Sequence, residues 1–72
     1  MVNFVLVDNY TKYVITELEN FSLIDVINLV NDFDLETNWF SVYYIENDEA
    51  SLEAIYEKGN WYDASGYRML NY

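Results

Sequence analysis

Glu49, Glu53 and Glu57 recur at i, i+4 and i+8, and Asp32, Asp34 and Glu36 alternate with other residues. Carboxylates at such spacings can do three kinds of chemistry. A pair flanking a sugar can hydrolyse a glycosidic bond, alternating acids can open a calcium loop, and a row of acids can meet a basic partner. The first needs a cleft that so short a chain rarely encloses. The calcium reading needs Gly at the sixth loop position and Glu at the twelfth. Those positions hold Thr37 and Tyr43, with Trp39 and Phe40 where ligands should lie. A solvated helix end is the expectation there, and no metal is expected.

Other catalytic constellations lack their parts. The chain has no His and no Cys, which removes zinc sites and Ser-His or Cys-His nucleophiles. Its two glycines, Gly59 and Gly66, make no phosphate loop. No catalytic residue and no cofactor is expected, so the chain reads as a binding protein and not as an enzyme.

Thirteen acids face three bases, Lys12, Lys58 and Arg68, for a formal net charge of −10. Such an excess works against the compact state through self-repulsion. It also repels a phosphate backbone and an anionic membrane surface, so neither nucleic acid nor membrane is an expected partner. Disorder would need low hydrophobicity and few aromatics. Here 53% of residues are hydrophobic, with eight Tyr, four Phe and two Trp. The chain is expected to fold despite its charge.

The acids invite a basic protein partner, itself one that binds nucleic acid. The expected contact set is Glu49, Glu53 and Glu57 with Asp25, Asp32, Asp34, Glu36, Glu46 and Asp48. Tyr44, Tyr62 and Tyr67, with Tyr10, are the candidates for exposed anchors, since tyrosine combines a rigid apolar ring with a polar tip. One helical row offers a charge only about every 6 Å, against one per roughly 1.7 Å along duplex DNA. Acids from several elements would have to share one surface.

In composition alone the chain is similar to phage-borne anti-restriction, anti-CRISPR and glycosylase-inhibitor proteins, which are often small, acidic and inert. The leading expectation is therefore an inhibitor that blocks a basic site, with DNA mimicry as its extreme form. An immunity protein or antitoxin for a basic toxin nuclease is the alternative. A third is a small assembly subunit, dimeric through the Trp39–Ile45 strand, whose acids serve only solubility.

The elements that must position these residues are legible as periodicities. Residues 2–7 and 12–18 are β-type runs around the turn Asp8–Thr11, which suggests a hairpin. Ser22 followed by Asp25 is a capping-box variant, and Leu23, Val26, Ile27, Val30 and Phe33 define a helical stripe. Trp39 to Ile45 is the strongest strand signal, apolar on both alternating sets, as suits a central strand or one with a sticky outer face. Asp48 reads as the cap of a second helix over 49–58, with Gly59 as its stop. Asp63–Gly66 suggests a turn in a C-terminal hairpin. The expected architecture is one α+β domain over 1–72, in the order ββαβα then a hairpin. It has an antiparallel sheet of four or five strands and two helices. Its 72 residues suit one domain without disulfides. With no basic leader and no long apolar run, the cytoplasm is the expected location, the host's if the chain is phage-encoded.

Overall fold

The sheet is built around the strand whose two alternating sets are both apolar. The computed structural model describes residues 1–33, 35 and 37–69. Its elements are β1 (Val2–Asp8), β2 (Val14–Glu19), α1 (Leu23–Asp32), β3 (Trp39–Glu46), β4 (Glu49–Glu57) and β5 (Asn60–Asp63). The strands form one antiparallel sheet in the order β2-β1-β3-β4-β5, with β3 at its centre. Helix α1 joins β2 to β3 and packs its buried Val26, Ile27 and Val30 into the core.

The second expected helix does not form, and the two-helix α+β expectation is corrected accordingly. Segment 49–57 is a strand paired along β3, from Glu46↔Glu49 to Trp39↔Glu57. Two tight connections explain why. Asn47 and Asp48 both have positive φ, 52° and 64°, as do Lys58 and Gly59, at 49° and 87°. Paired positive φ values in a two-residue loop match the twist of flanking strands, as a type I′ turn does. Asp48 is thus a turn residue and not a helix cap, and Gly59 uses its conformational freedom in a hairpin and not at a helix end. Glu, Ala and Leu favour a helix locally, but pairing with β3 and burial of Ala54 outweigh that preference.

The core lies between α1 and the sheet face that carries Phe4, Leu6, Leu18, Phe40, Val42, Ala54 and Trp61. Phe40 stacks on Tyr56 with centroids 4.9 Å apart, and Trp61 meets both rings edge-on, at 6.0 and 5.1 Å. Asn3 ties the start of the crossover to β1. Its Nδ2 donates to the Phe21 carbonyl (2.6 Å) and its Oδ1 accepts the Phe21 N–H (3.2 Å).

At the start of α1, Ser22 Oγ accepts the Asp25 N–H at 3.2 Å, and Asp25 Oδ2 accepts the Ser22 N–H at 2.9 Å. The hydrogen bond from the Ser22 backbone, helped by its side chain, holds the Asp25 carboxyl below the usual aspartate value. Ser22→Ala is expected to cost about 1 kcal/mol in urea unfolding at neutral pH. Asp25→Ala is expected to destabilise only while the wild-type carboxylate is ionised. Its folded-state value is depressed, so the stabilisation is complete above the ordinary aspartate range and vanishes as pH falls through the folded value. Unfolding curves of the two proteins should therefore converge in acid. A gap that widened there would contradict the assignment.

Candidate protein-docking surface

Register decides where the acids lie. Glu19 pairs with Val2 and Glu17 with Val5, while Val5 pairs with Tyr43 and Glu46 with Glu49. Glu19, Glu46 and Glu49 therefore lie at one end of the sheet, beside the Asn47-Asp48 turn and the start of α1 with Asp25, while Glu17, in the Val5–Tyr43 row, stands at mid-sheet. Glu17, Glu19, Asp25, Glu46, Asp48 and Glu49 are all exposed. The three Lys and Arg side chains lie towards the opposite end. Lys12 is in the β1–β2 loop, Lys58 in the β4–β5 turn, and Arg68 bridges to Tyr62. At about 4.8 Å between neighbouring strands, the acids of β2, β3 and β4 spread over roughly 14 Å. The sole ion pair among the described residues joins the Met1 amine to Glu19 at 3.9 Å.

The expected row Glu49, Glu53 and Glu57 is broken by this arrangement. A register shift lies between Val42↔Ala54 and Tyr43↔Leu52, so Glu53 is the extra residue of a β-bulge. As a result Glu49 follows the parity of the helix-covered face, whereas Glu57, opposite Trp39, follows that of the other. Glu57 also stands at the far end of β4 from Glu49. Of the remaining expected acids, Asp25 is engaged in the helix cap, and Asp32 ends α1 towards the Trp39 end. Asp34 and Glu36 lie outside the described residues, and so does part of the Asp32-x-Asp34-x-Glu36 pattern.

Two further acids organise turns. Asp8 Oδ1 accepts the N–H groups of Tyr10 (2.8 Å) and Thr11 (3.4 Å). Asp63 Oδ1 accepts those of Ser65 (2.9 Å) and Tyr67 (3.0 Å). Short acidic side chains satisfy backbone donors in this way wherever a chain reverses.

The sheet face away from α1 is apolar as well. Strand register sets Val5, Tyr43 and Leu52 in one row across β1, β3 and β4, and Ile55 beside Tyr62 in the next. All are half-buried by one another, with Ile45 beyond them near the acidic turn. Antiparallel sheets that meet water on one side normally carry polar residues there. An apolar open face bordered by Glu17 and the Glu46–Glu49 turn has the anatomy of an interface, with anchors inside and charges around them.

The tyrosine candidates separate. Tyr67 is exposed, and so is Tyr10, which donates its hydroxyl to Asn38 Oδ1 at 2.9 Å and meets Trp39 edge-on. Tyr62 is half-buried on the open face. Tyr44 turns to the helix side and packs edge-on against Phe4 at 5.3 Å. Tyr43, its neighbour, holds the open-face position instead. Reading the sequence for acids and tyrosines overlooked Val5, Tyr43, Ile45 and Leu52, and gave Glu17 and Glu19 no part in the contact set. The signal for the open face was present in Trp39–Ile45, whose two alternating sets are both apolar.

Among the described residues no helix is long and apolar enough to cross a membrane. Comparison of the chain with protein-family models, curated proteins and solved structures found no match to any of them.

Proposed function

We propose that this chain is a non-catalytic binding protein that blocks the basic site of a nucleic-acid-binding protein. The observation that carries the reading is a cluster of carboxylates set apart from every Lys and Arg. Glu19, the Glu46–Glu49 turn and Asp25 share one end of the sheet, while Lys12, Lys58 and Arg68 lie towards the other, among Asp8, Glu57 and Asp63. Folding alone gives no reason for this. The cross-strand pair Glu46↔Glu49 sets like charges opposite each other, which destabilises a hairpin.

The acids steer a basic surface towards this end and raise the association rate. Val5, Tyr43, Ile45 and Leu52 then supply short-range affinity as their surroundings lose water. Self-association through the same face would bring two chains of net charge −10 together, and their acidic ends with them.

The test is capture of host proteins on the immobilised chain at low and high salt, with duplex DNA or RNA as competitor. A nucleic-acid-binding protein that is retained at low salt, released at high salt and displaced by the competitor supports the reading. Sedimentation as a salt-insensitive dimer that retains no such protein overturns it.

A further inference from the structure

The two edges of the sheet are not alike. Beyond β5 the chain returns along its outer side. Met69 N–H donates to the Trp61 carbonyl and Asp63 N–H to the Tyr67 carbonyl, each at 2.8 Å, with Tyr62 bridged to Arg68. That edge is closed. The opposite edge is β2, and among the described residues no backbone hydrogen bond reaches Val14–Glu19 from outside the sheet.

Open edges invite pairing with another strand, and folded proteins commonly blunt them with lysine, proline or very short strands. β2 spans six residues with neither lysine nor proline; it carries one bulge, at Ile15, and its only charges are Glu17 and Glu19, so the regular edge open to pairing is Thr16–Glu19. Both carboxylates follow the open face, because Glu17 pairs with Val5 and Glu19 with Val2. Val14, more than half exposed, pairs with Val7 on that same face. The helix-side residues along β2 are Thr16 and the buried Leu18, with Ile15, the bulged residue, packed against the core.

The geometry points to β2 as a docking edge for an extended basic segment of the protein partner, added to the sheet as a sixth strand. This inference rests on the proposed function and names the means of engagement. Main-chain hydrogen bonds give such an added strand its affinity, and alternate side chains give it specificity. Directly opposite residues share a face, so the sequence wanted from the partner can be stated. It carries Lys or Arg at two positions two residues apart, opposite Glu17 and Glu19, and beyond the Ile15 bulge an apolar residue can meet Val14. Small or β-branched residues fall between them, beside Thr16. A second copy of this chain is a poor occupant. Antiparallel pairing of β2 with itself about Leu18, which uses the regular Glu17–Glu19 edge, sets Glu17 of each copy opposite Glu19 of the other.

The experiment titrates the isotope-labelled protein with an eight-residue synthetic peptide alternating Lys with Thr and Val, followed by backbone amide exchange. A twin peptide with Glu in place of Lys is the control. Binding of the Lys peptide should slow exchange of the outward amides within Val14–Glu19. Affinity should fall at least tenfold for the Glu twin, and likewise for the double variant Glu17→Lys, Glu19→Lys. The milder Glu17→Gln, Glu19→Gln protein should show an intermediate loss, with the fold of each variant checked by circular dichroism.

Peptide-induced shifts confined to the Glu46–Glu49 turn, with no protection along β2, overturn the docking edge while leaving the acidic-end reading standing. Absence of binding by the Lys peptide overturns the edge as well. Protection of β2 that grows with protein concentration and without peptide assigns the edge to a second copy and overturns the basic segment.

Discussion

Replacing Trp61 with alanine is expected to leave the domain largely unfolded at room temperature. The indole, on β5, is 1% exposed and contacts Phe40 of β3 and Tyr56 of β4, so two strands lose a shared neighbour. Removing a buried Trp costs about 3–5 kcal/mol. A single core of this size rarely supplies more than about 3–5 kcal/mol in total, and the repulsion among thirteen acids works against it. Far-ultraviolet circular dichroism with a urea titration would show this as loss of the cooperative transition. Trp61→Phe is the informative companion. Trp61 Nε1 is buried without a hydrogen-bond partner among the described residues, and an unsatisfied buried donor costs roughly 1–3 kcal/mol. Phenylalanine keeps a ring between Phe40 and Tyr56 and removes that donor. Its loss is expected to be smaller than that of alanine by at least about 2 kcal/mol. Equal losses for the two variants would mean that the indole's full volume, and not the presence of a ring, holds the core.

Glu49→Lys should move stability and binding in opposite directions. In the folded chain Glu49 is paired with Glu46, so the substitution turns a like-charge pair into an opposite one. Cross-strand pairs of this kind are worth about 0.2–1 kcal/mol, and the melting temperature should rise. Association with the basic partner should slow several-fold, and its rate should depend less steeply on salt, because rim charges act mainly on the encounter. A residue that lowers stability and raises binding is retained for its contact. If the melting temperature rises and association is unchanged, the acids at this end serve solubility, and the proposed function loses its main support.

How much of this could be read from the sequence depends on how local each cause is. The capping box at Ser22 and Asp25 is legible because both partners lie within one turn. The central strand is legible because Trp39–Ile45 is aromatic and β-branched throughout. Strand β4 is not, for a specific reason. An Asp before the segment and a Gly after it are signals that helix ends and hairpin turns share, since both exploit residues that tolerate positive φ. Local propensity then favours the wrong alternative, and only the edge of β3 awaiting a partner decides against it. Convergence of the acids is illegible for a different reason. Glu19 comes to the same end of the sheet as Glu46 and Glu49, though on the other face, only because β1 pairs with both β2 and β3, and no short-range pattern encodes that order. The bulge at Glu53, which sends Glu49 and Glu57 to opposite faces, is a property of pairing and not of composition.

The two-residue turns that join β3, β4 and β5 also set the order in which the molecule assembles. Contacts within that meander are close in sequence, so its loops close on the microsecond scale typical of hairpins. Joining β1 to β3 is another matter, since Phe4 and its partner Tyr44 stand 40 positions apart (44 − 4). Ordering so long an intervening chain before the contact rewards it makes this the slow event in folding. The carboxyl-terminal half is thus the template, and β1 is the piece that completes it. Until β1 arrives, the acids of β2 and those of the β3–β4 turn belong to separate parts of the chain. The acidic end is expected to be complete only once β1 has joined β3, so a partner that reads all of it selects finished molecules.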